Sequence, residues 1–562
     1  MKKLLCGGTV INVFTDEVEK ANVLIEDEKI IGVGQYTPDD ADIVEDVTGK
    51  YICPGFIDGH IHIESTMLTP TELAKLCLPH GTTAIVADPH EIANVCGVKG
   101  IEYMLDASRE IPMNVYFTLP SCVPATPFDE SGAELYADDI KPLYDNPRVV
   151  GLAEMMNYPG VIFGDKSVWA KINDAINIGK TVDGHAPFLS GKALDKYVSA
   201  GISSDHECSD IEEALEKIRK GQKIMIRQGT AARNLVDLLP LFEEPYNHRC
   251  LLVTDDRHPA DLMKEGHIDN IVRLAVKNGK SPITAIRMAS IQAAEHFGIR
   301  YVGAVAPGYR ADLLVLNDLD TVDIEDVYTN GEKVVSGKKT VEFSAPEINS
   351  DLQETVLNSF RLKELTLSDF HIEEKGEKCR VIEIVPGQLI TKEKIEKINW
   401  NENNGIDTER DLLKLAVIER HKNTGHIGLG YINGIGMKSG AMASSVSHDS
   451  HNIIVIGTND NDMMIAANHI RQFGGNVVVE NGKIVAQMAL PIGGLMTDLS
   501  GEEIAKANEN VRNAVYNFGV PKEIEPFMNM AFVSLSVIPS IKMTAQGLVD
   551  VDKQERISLY CD

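Results

Sequence analysis

Apolar residues recur along the first half of the chain in short runs separated by polar, helix-like segments. Eight of these runs have the length and apolar character of buried strands. They cover residues 51–57, 82–88, 114–120, 149–155, 181–185, 201–206, 223–228 and 250–255. Eight strand–helix units in about 250 residues predict an α/β fold, a TIM-like (β/α)8 barrel over residues 51–300. A doubly wound open sheet is the alternative, but no Gly-x-Gly-x-x-Gly turn follows an early strand.

The segments on either side of this barrel are rich in β-type residues and turns. Residues 1–50 contain short strands but too few to form a core of their own, so they need a partner. Residues 301–345 supply one, with an Asn330-Gly331 turn that is typical of a β-hairpin. We therefore predict a small split β-sandwich formed by both flanks, with the barrel inserted in it. Residues 346–562 predict a separate C-terminal α+β domain.

The helical segment after the sixth strand illustrates how the helices are predicted. Asp210 stands where an N-terminal cap is expected, and Ile211, Leu215 and Ile218 fall on one face. Gly221 is placed to end the helix.

Composition and charge narrow the classes of function. Hydrophobic residues make up 43% and charged residues 24% of the 562 residues, which is ordinary for a globular protein. The formal net charge of −29 repels phosphate backbones and anionic membranes, so we expect neither nucleic acid nor a membrane as partner. Nine scattered cysteines without a Cys-x-x-Cys pair favour reduced thiols in a cytoplasmic protein. We also expect a homo-oligomer, and among oligomers a dimer.

Side chains that can bind metal ions stand at the predicted ends of five strands, where barrels of this kind place their chemistry. His60 and His62 are two residues apart, so they point to the same side of an extended chain. The ends of the fourth, fifth, sixth and eighth strands add Glu154, His185, His206 and Asp255. Each residue alone would also fit a surface histidine, a hydrogen bond or an ion pair. Their coincidence on one rim favours a metal site, because buried charges are costly unless they are paired or metal-bound.

This donor set is large enough for two divalent metal ions. Nitrogen and oxygen ligands suit Mn, Fe or Zn, and no thiolate is needed. We assign His60, His62, Glu154 and Asp255 to the first ion, and Glu154, His185 and His206 to the second. Two ions about 3.5–4 Å apart can keep a hydroxide nucleophilic at neutral pH. Asp255 is then placed to take the proton as the hydroxide attacks. At the second strand, an active-site role and a loop hydrogen bond are both open for His90 and Glu91.

These residues resemble the amidohydrolase superfamily, and within it the chain is similar to the adenine deaminase family. The resemblance runs through Pro54-Gly-Phe-Ile-Asp-Gly-His-Ile-His and the later ligand residues. Its most specific sequence motifs are Ala87-Asp-Pro-His-Glu-Ile-Ala-Asn-Val, Gly151-Leu-Ala-Glu-Met-Met-Asn, Ser204-Asp-His-Glu, Thr254-Asp-Asp-Arg and Ser447-His-Asp-Ser-His-Asn. The last of these extends the resemblance into the C-terminal domain.

The resemblance implies a hydrolase that converts adenine to hypoxanthine and ammonia in purine salvage, with two divalent ions, Mn or Fe before Zn. Hydroxide would attack C6 of adenine while Asp255 carries the proton. A protonated carboxyl group at a ring nitrogen would aid the attack. Glu207 is the candidate if burial raises its pKa, and Glu64 and Glu91 are alternatives. Glu207 would otherwise orient a ligand histidine.

The polar segment at residues 447–452 precedes a strong apolar strand. We expect it to close over the barrel mouth and to contact the purine through His448 and Asp449, with an ordinary polar loop as the alternative. Two other functions stay open. One is an amidohydrolase for a related heterocycle or cyclic amide, although Glu154 stands where ring-opening relatives carry a carbamylated lysine. The other is a barrel that has lost catalysis.

Overall fold

The computed structural model describes residues 1–230, 232–385, 388, 390–401 and 403–561. The chain divides into two compact units. The first contains Met1–Pro89, Leu105–Ser121 and Tyr136–Glu347, and the second contains His90–Met104, Cys122–Leu135 and Ile348–Asp562. Two stretches between early strands, residues 90–104 and 122–135, therefore group with the C-terminal residues. In the described part of the chain, every helix is too short or too polar to cross a membrane.

The N-terminal flank consists of short strands separated by turns. They are β1 Lys2–Cys6, β2 Thr9–Asn12, β3 Glu17–Lys20, β4 Asn22–Glu26, β5 Lys29–Gly34, β6 Ile43–Asp46 and β7 Tyr51–Pro54. Four of them form a sheet of order β5-β4-β1-β6, and the other three enter a second sheet described below.

Eight parallel strands follow, as the apolar runs predict. They are β8 Phe56–Ile61, β9 Thr82–Ala87, β10 Asn114–Leu119, β11 Val149–Met155, β12 Thr181–Gly184, β13 Ser204–Asp205, β14 Lys223–Arg227 and β15 Cys250–Val253. They pair as β12-β11-β10-β9-β8 and as β13-β14-β15. Two links join these groups: the Ser203 amide donates to the Val182 carbonyl at 3.0 Å, and the Asp255 amide donates to the His60 carbonyl at 2.9 Å. The predicted (β/α)8 barrel is confirmed.

The bounds of the first barrel strand differ from the prediction. The apolar run 51–57 is divided between two sheets, because the chain leaves β7 at Gly55 and starts β8 at Phe56. A Cβ atom on Gly55 would lie 2.2 Å from Thr83 Oγ1, so the chain passes where a larger residue would collide with β9. His60 consequently lies within β8 rather than after it.

Helices α1–α12 accompany the barrel strands in the sequence. They are α1 Pro70–Cys77, α2 His90–Cys96, α3 Val98–Ala107, α4 Ala137–Ile140, α5 Tyr158–Phe163, α6 Lys166–Asn177, α7 Gly191–Ser199, α8 Ile211–Arg219, α9 Pro259–Glu265, α10 Ile268–Lys277, α11 Pro282–Met288 and α12 Ile291–His296. Of these, α2 and most of α3 lie in the stretch that groups with the second unit. In α8, Asp210 caps the helix as predicted, because its side chain accepts from the amides of Glu212 and Glu213.

The second flank completes the β-sandwich. It contributes β16 Leu313–Asp318, β17 Asp323–Thr329, β18 Glu332–Ser336 and β19 Lys339–Thr340 to a sheet of order β19-β18-β17-β16-β7-β2-β3. The two segments that flank the barrel in the sequence thus share one sheet. Their common core includes Leu5, Val23 and Ile52 from one flank and Leu313 and Val315 from the other, all buried. The predicted split sandwich is confirmed.

The second unit is built on an eight-stranded sheet of order β21-β20-β23-β22-β25-β24-β26-β27. Its strands are β20 Lys378–Ile384, β21 Thr391–Lys397, β22 Leu413–Ile418, β23 Ile427–Asn433, β24 Ala441–Ser444, β25 Ile453–Gly457, β26 Asn476–Glu480 and β27 Lys483–Met488. A small sheet and four further helices complete it: β28 Ile541–Thr544, β29 Gly547–Asp550, β30 Glu555–Arg556, α13 Ser350–Leu357, α14 Asp460–Phe473, α15 Gly501–Asn517 and α16 Pro526–Ala531. Helix α14 packs Met463 and Ala467 into the core of the large sheet.

Candidate active site

The six predicted ligand residues converge on one rim of the barrel. Five of them are buried, and His185 is partly exposed. Each stands in the last part of a parallel strand or just after it, so the barrel brings them together. Ligand atoms of His60, His62 and Asp255 lie within 4.8 Å of one another, and the same holds for His60, Glu154 and His206. The structure therefore supplies the donor groups where the sequence predicts them, while their role as ligands stays a prediction.

The carboxylate of Glu154 faces both groups of histidines. Its Oε1 atom lies 3.4 Å from His62 Nε2. Its Oε2 atom lies 2.6 Å from His185 Nδ1 and 3.2 Å from His206 Nε2. One oxygen thus faces His62 and the other faces His185 and His206.

Asp255 faces the same ring nitrogen of His62 as Glu154 does. Its Oδ1 atom is 3.2 Å from His62 Nε2 and 3.7 Å from His60 Nε2. The opposite ring nitrogen of His62, Nδ1, lies 3.1 Å from the backbone carbonyl of Asp88. A carbonyl only accepts, so Nδ1 carries a hydrogen and the ring presents Nε2 to the two carboxylates.

Mutual charge controls the protonation of this cluster. Burial lowers the pKa of His62, but hydrogen bonding to Asp255 and Glu154 outweighs it and raises the pKa well above its usual value. His185 behaves likewise: burial lowers its pKa, but the charges of Glu207 and Glu154 bring it to about 9. Burial would raise the pKa of Glu154, yet His185 and the other histidines hold it well below its usual value. The rim thus has ionised carboxylates that favour positive charge beside them.

A second observation, an unsatisfied buried nitrogen, also indicates that the donor set suits divalent metal ions. His60 Nε2 is fully buried and has no hydrogen-bond partner among the residues that the structure describes. A buried polar nitrogen without a partner is costly, and a metal ion would supply the missing interaction. Imidazole nitrogen with carboxylate oxygen is the chemistry that Mn, Fe and Zn accept.

Arg227 belongs to the same rim, although the sequence pattern predicts no site residue on the seventh strand. It is the last residue of β14, and its Nη1 lies 2.5 Å from both Glu207 Oε1 and Asp255 Oδ2. The available signal was a charged residue that ends the apolar run Lys223-Ile-Met-Ile-Arg.

The expectation of a raised pKa for Glu207 is wrong. Burial does raise its pKa, but the charges of Arg227 and His185 outweigh burial and bring the pKa to about 2. Glu207 is therefore a carboxylate at neutral pH and holds no proton to give. Its Oε1 atom also lies 3.5 Å from His206 Nε2, which agrees with the alternative interpretation of a group that orients a histidine.

The remaining predicted residues are distributed over both units. Glu64 is buried in the first unit, in the 3-10 turn Glu64–Thr66 that follows the His-x-His segment. Glu91, His448 and Asp449 lie in the second unit, with Glu91 in the first turn of α2 and the other two before β25. His448 Nδ1 lies 3.6 Å from Asp449 Oδ1.

His451 joins Glu91 in the second unit and was not singled out from sequence. Its Nε2 lies 3.4 Å from Glu91 Oε2, and the Ser447 amide donates to its Nδ1 at 3.3 Å. Burial and the positive charge of neighbours, His448 first, hold the pKa of His451 well below its usual value. The ring is thus neutral, with its hydrogen on Nε2 facing Glu91. This tautomer suits a polar hydrogen-bonded cluster better than a metal site.

A parallel barrel with His-x-His on its first strand and acidic and histidine residues on its later strands defines a hydrolase class. A model of the amidohydrolase family matches residues 51–334, so the chain is an enzyme of that class. A model of the adenine deaminase C-terminal domain matches residues 388–555. The chain belongs to the adenine deaminase family.

Two adenine deaminases support this assignment by their sequence identity. An adenine deaminase of Desulfatibacillum aliphaticivorans is 44% identical over 562 residues, which are 99% of this chain and 97% of that protein. An adenine deaminase of Clostridium acetobutylicum is 45% identical over 553 residues, 98% of this chain and 96% of that one. A dihydropyrimidinase structure from Brevibacillus agri aligns with a TM-score of 0.48 at 18% identity, covering 61% of this chain and 96% of that one.

Proposed function

We propose that the protein hydrolyses adenine to hypoxanthine and ammonia. The convergence of His60, His62, Glu154, His185, His206 and Asp255 on one barrel rim carries this proposal. Family membership supports adenine as the substrate, because relatives that match the chain over nearly its whole length are named adenine deaminases. Such a reaction would return adenine to purine salvage.

We propose that the same residues hold two divalent ions, Mn or Fe before Zn. His60, His62, Asp255 and Glu154 would hold the first, and Glu154, His185 and His206 the second. When bound, such ions supply the Lewis acidity that makes a water molecule nucleophilic at neutral pH.

Asp255 is the group that we propose to move protons. Burial raises its pKa, but Arg227, His60 and His62 outweigh burial and hold the pKa well below its usual value. It is therefore unprotonated at neutral pH and can accept a proton from the attacking water. Arg227 binds its Oδ2 atom, which leaves Oδ1 facing the histidines. The proton would then pass to the amino group of C6, which leaves as ammonia.

The group that assists at the ring nitrogen must be one other than Glu207, since that carboxylate is ionised. Glu64 and Glu91, which are both buried, remain our candidates. Glu64, Glu91, His448 and Asp449 together remain our proposed substrate-binding residues. A cytoplasmic homodimer also remains our prediction.

Ammonia release tests the function directly. Manganese-loaded protein is incubated with adenine, adenosine, guanine and cytosine, and separately with hydantoin and dihydroorotate. We expect stoichiometric ammonia and hypoxanthine from adenine alone. Ring opening of a cyclic amide without ammonia from adenine would contradict the proposal and favour another amidohydrolase activity.

A further inference from the structure

The sequence Asp-Gly-His occurs twice, at Asp58-Gly59-His60 and at Asp183-Gly184-His185. In each case the aspartate lies on a barrel strand, two residues before a proposed ligand histidine. Both carboxylates are almost completely buried, with Asp58 at 0% and Asp183 at 1% exposure. Neither is a proposed ligand, so their burial beneath the rim needs another explanation.

Asp58 joins the first barrel strand to the last. Its Oδ1 atom accepts from the amides of His60 at 3.2 Å and Thr254 at 3.1 Å. Its Oδ2 atom accepts from the Thr254 hydroxyl at 2.5 Å and lies 3.1 Å from His267 Nε2. Thr254 directly precedes Asp255. One carboxylate thus fixes the backbone that carries His60 and Asp255, both assigned to the first ion.

Asp183 makes the corresponding link between the fifth and sixth strands. Its Oδ1 atom accepts from the Ser204 hydroxyl at 2.5 Å and lies 3.0 Å from His296 Nε2. Ser204 is two residues before His206. This carboxylate therefore ties the strand of His185 to the strand of His206, both assigned to the second ion.

Asp205 strengthens the second link. It accepts from the amide of Ala186, just after His185, at 2.9 Å and from the amide of Glu207, just after His206, at 2.7 Å. Lys217 Nζ lies 3.1 Å from it and neutralises its charge inside the protein. Hydrogen bonds to an ionised acceptor are about twice as strong as neutral ones, so these strand ends are held firmly.

We propose that two buried triads, Asp58–Thr254–His267 and Asp183–Ser204–His296, are positioning devices that each set the ligand spacing of one metal ion. The inference rests on the proposed two-ion centre. Metal ligands must keep their donor atoms within a few tenths of an ångström, and outer partners of ligands typically control metal affinity by about 10–100-fold. Because each triad links the two strands of a single ion, each should control the affinity of that ion and not of the other.

Stepwise titration of metal-free protein with Mn²⁺ tests the proposal without any assay of catalysis. His60→Ala and His185→Ala identify the first-ion and second-ion binding steps. We expect Asp58→Asn to weaken the first step by about 10–100-fold and Asp183→Asn to weaken the second by the same factor. Thr254→Val and Ser204→Ala remove only the cross-strand hydroxyl, so they preserve the test if an aspartate variant fails to fold.

Asp312→Asn is the matched control. Asp312 is another buried carboxylate of the first unit, but it pairs with Arg310 and the Asn330 amide in the sandwich. The Asp312→Asn variant should lower thermal stability and leave both metal affinities unchanged.

Three results would overturn the proposal. They are equal weakening of both binding steps by each triad variant, loss of stability alone as in Asp312→Asn, and wild-type protein that binds no metal. Two bound ions without ammonia release from adenine would instead refute the proposed function alone.

Discussion

At the scale of single residues, Arg227 decides the charge of two carboxylates on the rim. Glu207 and Asp255 are both buried enough for their pKa values to rise, yet both are held low because the guanidinium lies between them. Arginine suits this role because it keeps its charge when buried and presents several donors. Arg227 thereby keeps Asp255 ready to accept a proton.

Replacing Arg227 by Gln should shift the acid limb of the pH profile. Without the guanidinium, burial is no longer offset and the pKa of Asp255 rises. Asp255 must be unprotonated to act, so activity on the acid side is lost at a higher pH than in the wild type. We expect the acid limb of kcat/KM to move up by about one pH unit or more. Arg227→Lys, which keeps the charge, should move it less, and an unmoved limb in Arg227→Gln would contradict the role.

Glu154→Gln tests the bridging position. Glutamine keeps the shape of the side chain but loses the charge that both histidine groups face. We expect fewer than two ions per chain by metal analysis and a loss of turnover of about 100-fold or more. Glu212→Gln, at an exposed position on α8, is the control and should change neither quantity. A fully metallated and fully active Glu154→Gln protein would refute the assignment.

At the scale of elements, the hairpin of β17 and β18 shows that a local sequence motif can be sufficient to predict a turn. The Asn330-Gly331 turn has positive φ angles of 50° and 78°, as a tight hairpin turn requires. Apolar runs predict that a strand exists but not where it ends. The run 51–57 is one apolar segment in the sequence, yet Gly55 divides it between β7 and β8. Similarly, the run 201–206 forms only the two-residue strand β13.

Gly331→Ala should destabilise the sandwich for two separable reasons. A positive φ costs a non-glycine residue about 1 kcal/mol, and an added Cβ would lie 1.8 Å from the backbone carbonyl of Asp27. Gly337 also has a positive φ, but a Cβ there meets nothing within 4 Å. We therefore expect Gly331→Ala to lower the free energy of unfolding by at least about 2 kcal/mol and Gly337→Ala by about 1 kcal/mol. Equal losses in denaturant titrations would exclude the collision.

At the scale of the whole molecule, the chain folds into two compact units whose boundaries do not follow sequence order. Residues 90–104 and 122–135 lie between barrel strands in the sequence but group with the C-terminal unit. Nothing in their local pattern distinguishes them from other connecting segments. The six proposed ligand residues all lie in the first unit, so metal binding should stabilise that unit.

Removing metal should lower the thermal stability of the protein. An ion that binds only the folded state adds about 4 kcal/mol when its free concentration is about 1,000 times Kd. We therefore expect a chelator to lower the Tm of manganese-loaded protein in calorimetry, and Mn²⁺ to restore it. The His60→Ala variant should respond less, because one ion site is already lost. A Tm that is independent of chelator would contradict metal binding at the rim.

The pattern of residues alone predicts the barrel, the split sandwich and the six candidate ligands. This was possible because parallel strands of a barrel end on one rim, so strand order alone brings their terminal residues together. The contacts of Arg227, the ionised state of Glu207 and the proximity of His451 to Glu91 become visible only in the folded chain. Charge states depend on distances of a few ångströms between residues that are far apart in the chain, and a pattern of residue types contains no such distances.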